Sequence, residues 1–368
     1  MKAKKLSLTN FRNIKTAEIS FSPDITFLLG DNAQGKTNVL EALYLFARGK
    51  SFRGATDKEM TAFGKEGYAL SLSYEKEDRE ESLFVSAYGK EKLRKKNGIL
   101  LEKQSELIGS FRSVLFSPDD LQMVKGSPSE RRRFLDIAIS QCYPVYLSVY
   151  ARYQKYLEER NALLKAMQKG FFFDDEMLSV YSEKLALLAA DIFFYRHEYI
   201  VKLERCAKEV VKEISSGKEF LSLIYRSDME GIEDLGKDGV ISRYRRVFSE
   251  NREKERAAGM TLYGIHRDDL GIYLGGISAR DFGSQGQQRS AVLALKMAEG
   301  MVSGDICGER PVYLFDDVLS ELDEGRRKFL LSGMKGCQFI VTGCEKNIIS
   351  DIYDRVRIIS VKNGIFEE

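Results

Sequence analysis

Hydrophobic and polar positions alternate along the beginning and the end of the chain, whereas the middle repeats every three or four residues. Up to about Phe116, Leu6 and Leu8 alternate with polar neighbours, and Ile25-Thr26-Phe27-Leu28-Leu29 is a compact apolar run. Ala69 to Tyr74 and Leu83 to Tyr88 alternate again, so this stretch predicts strands. From about Leu270 the same texture returns at Ile272 to Leu274, Val312 to Phe315, Phe339 to Thr342 and Val356 to Val361. Between them, Tyr146, Val149, Tyr153, Tyr156, Arg160, Leu163 and Met167 recur at intervals of three and four. So do Leu178, Tyr181, Leu185, Leu188, Ile192, Tyr195, Tyr199, Leu203, Cys206 and Val210. Two such seams predict long helices packed as an antiparallel, coiled-coil-like hairpin, although a plain helical bundle has the same period. Lys169 to Asp175 is the expected turn, with an Asp capping the second helix. No proline falls between Pro144 and Pro311. The chain therefore reads as β/α material flanking a helical insertion, with the first and last stretches sharing one sheet.

Composition narrows the class. The 368 residues correspond to roughly two domains. Lys and Arg number 57 against 55 Asp and Glu, which excludes a polycation and an acidic solvating tail. With 22 Phe and 18 Tyr the chain carries too much aromatic mass for a disordered one. The five cysteines are scattered and form no C-x-x-C pair, so neither a disulfide framework nor a zinc site is expected. No apolar segment follows the N-terminal lysines, and no window approaches a membrane span, so the expected location is the cytoplasm.

Gly30-Asp31-Asn32-Ala33-Gln34-Gly35-Lys36-Thr37 fits G-x-x-x-x-G-K-[ST], after an apolar run and before a helical face of Val39, Leu40, Leu43 and Phe46. That context predicts a phosphate-binding loop. Its glycines let successive N–H groups point at phosphate oxygens, and the helix N-terminus adds partial positive charge. Lys36 is expected to reach the β- and γ-phosphates of ATP, and Thr37 to hold Mg²⁺. Val312-Tyr313-Leu314-Phe315-Asp316-Asp317 predicts a buried strand ending in two carboxylates, Asp316 for the metal and Asp317 for the attacking water. Ser320-Glu321-Leu322-Asp323 follows, with Asp323 also a helix cap. Ser284-Gln285-Gly286-Gln287 opens another helix and predicts a second anion-binding end.

The order of phosphate loop, S-x-G-Q helix, apolar strand with Asp-Asp, and S-E-L-D resembles the ABC-type ATPase head. The resemblance implies an α/β fold: a P-loop ABC-type head split into N- and C-terminal parts, with an inserted helical, coiled-coil-like arm. The expected boundaries are 1–116, 117–268 and 269–368. It implies that the signature residues Ser284, Gln285, Gly286 and Gln287 contact ATP bound by the opposite subunit, so that ATP staples a homodimer. Ser320 and Asp323 correspond to the D-loop, Asp317 and Lys36 to the catalytic pair, and Arg12 to a contact on the nucleotide's α-phosphate side or a surface arginine. The stretch from Lys36 to Ser284 is too long for a transporter cassette and too short for a full SMC protein, and it lacks a C-x-x-C zinc hook. What remains resembles the RecF family of bacterial recombination mediators. Leu8 to Asn13, Phe116 to Leu121, Val124 to Asp136 and Gly264 to Leu270 carry that likeness over nearly the whole chain.

The RecF likeness implies ATP and Mg²⁺ as cofactors, slow DNA-stimulated hydrolysis used as a switch, and action at single-strand gaps and duplex junctions. It also implies RecR and RecO as partners in loading RecA, in gap repair, replication restart and SOS induction. The alternative is another SMC-like ATPase acting structurally on DNA. Asp317 stands where ABC heads carry Glu, Ser117 and Pro118 where they carry the Q-loop Gln, and Val341 to Cys344 where they carry the switch His. His266 is open between a phosphate or interface sensor and a structural role. For DNA contact the sequence offers the basic run holding Lys92, Arg94, Lys95 and Lys96, and a second holding Arg245 and Arg246.

Overall fold

The computed structural model describes residues 1–171, 175–229, 231–333, 336–345 and 356–368. The chain divides into two compact units. The first comprises Met1–Leu121, Glu209–Lys218 and Val292–Glu368, and the second Gln122–Lys208 and Glu219–Ala291.

The first unit holds two sheets. One runs in the order Ile365–Glu367, Val356–Lys362, Ile25–Leu29, Phe339–Gly343, Val312–Phe315, Ser113–Phe116, and every pairing is parallel except the outermost hairpin. Val312–Phe315 and Phe339–Gly343 are buried along their whole length, and Ile25–Leu29 up to its last residue. Covered parallel strands need apolar side chains on both faces, which is why they read as runs rather than alternations. The other sheet is antiparallel, with the order Ile14–Ser20, Lys2–Phe11, Gly67–Lys76, Arg79–Tyr88, Glu91–Lys96, Ile99–Leu100. Its register stacks Leu6 on Leu72 and Leu8 on Leu70, and these face the core beside Val39, Leu40, Leu43 and Phe46 of the helix Lys36–Arg48. Leu314 and Ile340 of the parallel sheet join the same cluster, so one helix buries residues against both sheets. The expected single sheet is thus two. The first and last stretches do meet in the parallel sheet, but the remaining N-terminal strands pair among themselves, because alternation marks a half-buried strand without naming its neighbour.

The second unit is built on the helices Pro144–Gln168 and Asp175–Ile214, the latter continuing into the first unit at Glu209. Tyr146 packs on Tyr195, Tyr156 on Tyr181, and Leu163, Leu164 and Met167 on Leu178. One index rises as the other falls, which makes the pair antiparallel. The expected turn falls partly on residues 172–174 and its Asp cap lies outside the described residues. Burial is wider than a two-helix seam: Leu157, Leu164, Ala186, Ala189 and Phe193 are also buried. The extra face is covered by further helices, Pro128–Cys142, Lys237–Glu250 and Arg252–Ala258, so the insertion is a bundle around the hairpin. Arg160, wholly buried, clasps it by donating to Glu255 at 2.6 Å, Thr261 at 2.8 Å and Ser182 at 3.0 Å. A three-stranded sheet, Ile277–Ser278, Asp269–Leu274 and Leu221–Arg226, completes the unit. For that reason residues 269–291, expected in the C-terminal part of the head, cluster with the second unit: strand Asp269–Leu274 pairs with Leu221–Arg226.

Charged groups brace this unit internally. Arg196 is 1% exposed and donates to both oxygens of Asp136 and to the Ile265 carbonyl, while Arg131 forms a two-bond pair with Asp269. Burial pushes the Asp268 carboxyl up to about 6, against the opposing effect of the Tyr225 hydroxyl, which donates to it at 2.5 Å. A carboxyl raised above its unfolded value favours the fold fully only below about pH 4, and that contribution is lost as pH rises through about 6. Asp268→Asn, which keeps an acceptor for Tyr225, is therefore expected to stabilise the protein by about 1–3 kcal/mol well above pH 6. Thermal melts across pH check this, because the gap between variant and wild type must close towards pH 4; a gap independent of pH contradicts it.

Candidate nucleotide site

Strand Ile25–Leu29 delivers the chain to Gly30, and helix Lys36–Arg48 leaves from Gly35. Gly35 has φ 114°, a conformation side chains rarely adopt, and it lies against Asn13. At Gly30 a Cβ would stand 2.2 Å from the Val361 carbonyl oxygen, so the loop closes tightly over the neighbouring strand. The Lys36 ammonium donates to the carbonyls of Gly30 and Asp31 and lies 3.2 Å from the Cys344 sulfur. Cys344 follows the strand Phe339–Gly343, in the place where ABC heads carry the switch histidine, and its thiol also contacts Asn32 at 3.3 Å.

Parallel pairing brings the carboxylates to the same edge. Thr37 Oγ1 donates to Asp316 Oδ1 at 2.7 Å, and Thr342 Oγ1 approaches the same oxygen at 3.2 Å. Burial raises the Asp316 carboxyl, opposed by the Thr37 and Thr342 hydrogen bonds and by the charge of Arg53. Asp317 takes φ 56°, unusual for a residue with a side chain, and its N–H donates to Thr342 Oγ1 at 2.9 Å. Ser320 Oγ donates to the Asp317 carbonyl, and Asp323 accepts from the Arg326 N–H at 2.9 Å, capping the helix Glu324–Gly333 as expected.

Neighbouring side chains and turns complete this edge. Gln34 is held by the turn after Lys362: its side-chain oxygen accepts from Asn363 N–H and its carbonyl from Gly364 N–H. Asn38 donates to Asn13 at 2.8 Å, and Arg53 donates to Asn38 at 3.1 Å with its guanidinium 42% exposed. Arg53 is the cation whose field reaches Asp316. Its only cue was its position in the loop directly after the phosphate-loop helix. Arg12, offered as a nucleotide contact, donates through two bonds to the wholly buried Glu41, at 2.6 and 2.8 Å, and to the Glu59 carbonyl. That commits most of its donors to the protein itself.

The signature residues belong to the second unit. Ser284 N–H donates to Gln287 Oε1 at 2.9 Å, and Gln287 N–H donates back to Ser284 Oγ at 3.2 Å. This reciprocal pair is a capping box at the head of helix Gln285–Cys307. Gln288 ties the same end to the preceding turn by donating to the Ala279 carbonyl at 3.0 Å. His266 sits among the second unit's packed groups, 2.8 Å from the Tyr153 hydroxyl, and burial lowers it to about 4. It is neutral at physiological pH and has the partners of a structural histidine. Of the basic candidates, Lys92 pairs with Asp57, Lys96 with Glu81 at 3.0 Å, Arg245 with Glu183 through two bonds, and Arg246 with Glu250 at 2.7 Å. Lys92, Arg94 and Lys96 share the face that carries Leu83, Val85 and Ala87, and Lys95 points to the other.

A phosphate loop on a parallel sheet, two carboxylates at the adjacent strand end and a capped S-x-G-Q helix define a P-loop ATPase head of the ABC and SMC type. The family described as RecF/RecN/SMC N terminal domain matches residues 2–367. The chain is 39% identical to the DNA replication and repair protein RecF of Exiguobacterium sp., over 100% of this chain and 99% of that one. It is 36% identical to that of Clostridioides difficile, over 99% and 100%. A solved structure of the recombination mediator protein RecF-ATPrS in the RecFOR pathway superposes with a TM-score of 0.92 at 32% identity, covering 99% of this chain and 97% of that one. The Smc head domain of Pyrococcus furiosus shares the fold at 19% identity, with a TM-score of 0.57 and coverage of 100% and 95%. The chain belongs to the RecF family.

The Arg12–Glu41 pair separates two roles for Arg12. Removing its guanidinium strands a buried carboxylate, so Arg12→Ala is expected to cost about 3–5 kcal/mol in urea unfolding, and adding Glu41→Gln should recover part of it. A variant of wild-type stability that binds ATP poorly would instead make Arg12 a nucleotide ligand.

Proposed function

We propose that this protein is an ATP-switched, DNA-binding recombination mediator. ATP closes a homodimer over DNA at single-strand gaps and duplex junctions, and slow, DNA-stimulated hydrolysis reopens it. RecR and RecO partner it in loading RecA, in gap repair, replication restart and SOS induction, and it works in the cytoplasm. The observation that carries the reading is the division of the nucleotide apparatus: the phosphate loop and carboxylates sit in one unit, the S-x-G-Q helix end in another. The RecF relatives, DNA replication and repair proteins by name, and the RecF-ATP structure in the RecFOR pathway support it. Among the described residues no helix is long and apolar enough to cross a membrane.

In this reading residues Gly30 to Gly35 cradle the phosphates with backbone N–H groups, and Lys36 leaves the Gly30 and Asp31 carbonyls for the β- and γ-phosphate oxygens. Thr37 Oγ1 and Asp316 Oδ1, both hard oxygen donors and already adjacent, fit Mg²⁺. Bound there, the ion would offset the negative charge of the phosphates. Asp317 orients the attacking water and takes its proton as the γ-phosphoryl group transfers and ADP departs. Its side chain is one methylene shorter than the glutamate usual in ABC heads, which suits a slow switch. Ser284 and Gly286 complete the γ-phosphate site of a second copy. The functional head is accordingly wider than the first compact unit and includes the segment from 269 onward, with 117–268 as the arm.

Light scattering with and without ATP, Mg²⁺ and DNA tests this on the full chain. Wild type should dimerise on ATP. Lys36→Met should lose ATP binding and dimer together, Ser284→Arg should bind ATP and stay monomeric, and Asp317→Asn should persist as a dimer. A Ser284→Arg dimer equal to wild type rules out the shared site.

A further inference from the structure

One face of the three-stranded sheet in the second unit borders a cavity of about 50 Å³ that the ATP reading leaves unused. A single water needs on the order of 10–15 Å³ of such space, so several waters or one tetrahedral anion fit. Strand alternation puts Arg226, Asp269, Gly271 and Tyr273 on this face, with Leu223, Leu270, Ile272 and Leu274 buried behind them. Gly271 forms the floor. A Cβ there would lie 2.8 Å from the Tyr273 ring and 3.2 Å from the Arg226 Nε, so any side chain would fill the cradle.

Arginine charge exceeds acid charge around it. Arg131 and Asp269 satisfy one another through two bonds, at 2.7 and 2.9 Å. Arg226 lies over the Tyr273 ring, 5.6 Å from its centre, and donates to the Tyr273 hydroxyl, which fixes the plane of its fork. Arg280 also lines the cavity and is exposed. Among the described residues neither Arg226 nor Arg280 forms an ion pair. The remaining acid, Asp281, accepts from Ser278 Oγ at 2.7 Å. An oriented guanidinium, a second arginine in the same lining and a side-chain-free floor suit an oxyanion with several acceptor oxygens.

We propose that this cavity binds a phosphate group between Arg226 and Arg280, supplied either by a DNA backbone or by free phosphate. The site is separate from the phosphate loop and stands without the ATP-switch reading. It adjoins the turn whose Ala279 carbonyl is held by Gln288 of the signature helix.

Calorimetric titration of the full chain with inorganic phosphate tests it, beside anisotropy titration with a short labelled duplex, both without nucleotide and at low salt. Phosphate should still bind in Lys36→Met, whose own phosphate loop no longer competes for it. Arg226→Gln should weaken it about tenfold or more, the loss expected for one charge-assisted hydrogen bond, and Gly271→Ala should weaken it by filling the floor. Arg280→Gln, on an exposed side chain that folding does not need, should do the same, while ATP binding in all three stays at the wild-type level. If the three variants weaken only the duplex, the site is real and its source is the DNA backbone; if they weaken both, free phosphate also occupies it. Phosphate binding abolished by Lys36→Met and untouched by Arg280→Gln would overturn the proposal, as would duplex and phosphate affinities unchanged in all three variants.

Discussion

Parallel pairing of three short strands governs everything at the nucleotide edge. Ile25–Leu29, Phe339–Gly343 and Val312–Phe315 lie side by side with Leu29 opposite Gly343 and Phe315 opposite Val341. The first two strands therefore stop level, and the third stops opposite Val341, short of Gly343, so that Asp316 and Asp317 continue to the same edge. The loop after the first carries Lys36 and Thr37, the second ends in Thr342 and Cys344, and the third in Asp316 and Asp317. A parallel sheet exposes its ligand-binding loops at that end and buries both of its faces, so chemistry and core cannot compete for the same positions. The Thr37–Asp316 contact at 2.7 Å is the direct product of that register. A slip by one residue would turn the Asp316 side chain to the other face of its strand.

The second unit is specified differently. Three of its arginines, Arg131, Arg160 and Arg196, are nearly or wholly buried, and each has a carboxylate partner. Desolvating such pairs costs several kcal/mol per ion, so their net contribution to stability is small, while breaking one is expensive. Their geometry is what matters. Asp136 and Arg131 come from the segment Val124 to Asp136, and Ile265, Asp268 and Asp269 from Gly264 to Leu270. Two stretches that are remote in sequence are thus fastened by bonds that apolar contacts could not orient so strictly. These are the motifs that the ATP site does not absorb, and their work is to hold the bundle and the three-stranded sheet in register with each other.

What was legible in the sequence follows from how local each signal is. Glycine and lysine in the phosphate loop answer a backbone demand within eight consecutive residues, and the apolar runs mark covered strands without outside information. The hairpin's seams are equally local. Strand partners are not, so two sheets looked like one, and the place of Asp269–Leu274 with Leu221–Arg226 could not be read. Charge pairing is invisible for the same reason. Lys92, Lys96 and Arg245 looked like free cations until Asp57, Glu81 and Glu183 arrived from distant segments. Arg12 was open between a nucleotide contact and a surface arginine, and its bond to Glu41 was foreseen by neither. The capping box at Ser284 is a different case: S-x-x-Q is a local signal, but one serine hydroxyl suits a helix cap and an anion contact equally, and the sequence does not say which it serves.

Those two readings of Ser284 are compatible on chemical grounds. A serine hydroxyl has two acceptor lone pairs and one proton. The cap uses a lone pair, taking the Gln287 N–H at 3.2 Å, and leaves the proton able to donate. In the proposed dimer that proton is the group offered to a γ-phosphate oxygen of the second copy. The bond to Gln287 fixes the oxygen's position beforehand, so less rotamer entropy is lost when the phosphate arrives. Preorganisation here comes from the helix's own need to satisfy its first N–H groups, a need that exists whether or not nucleotide is bound. In the proposed dimer a serine at this position therefore serves folding and ligand recognition through different parts of one hydroxyl, and an alanine would forfeit both at once.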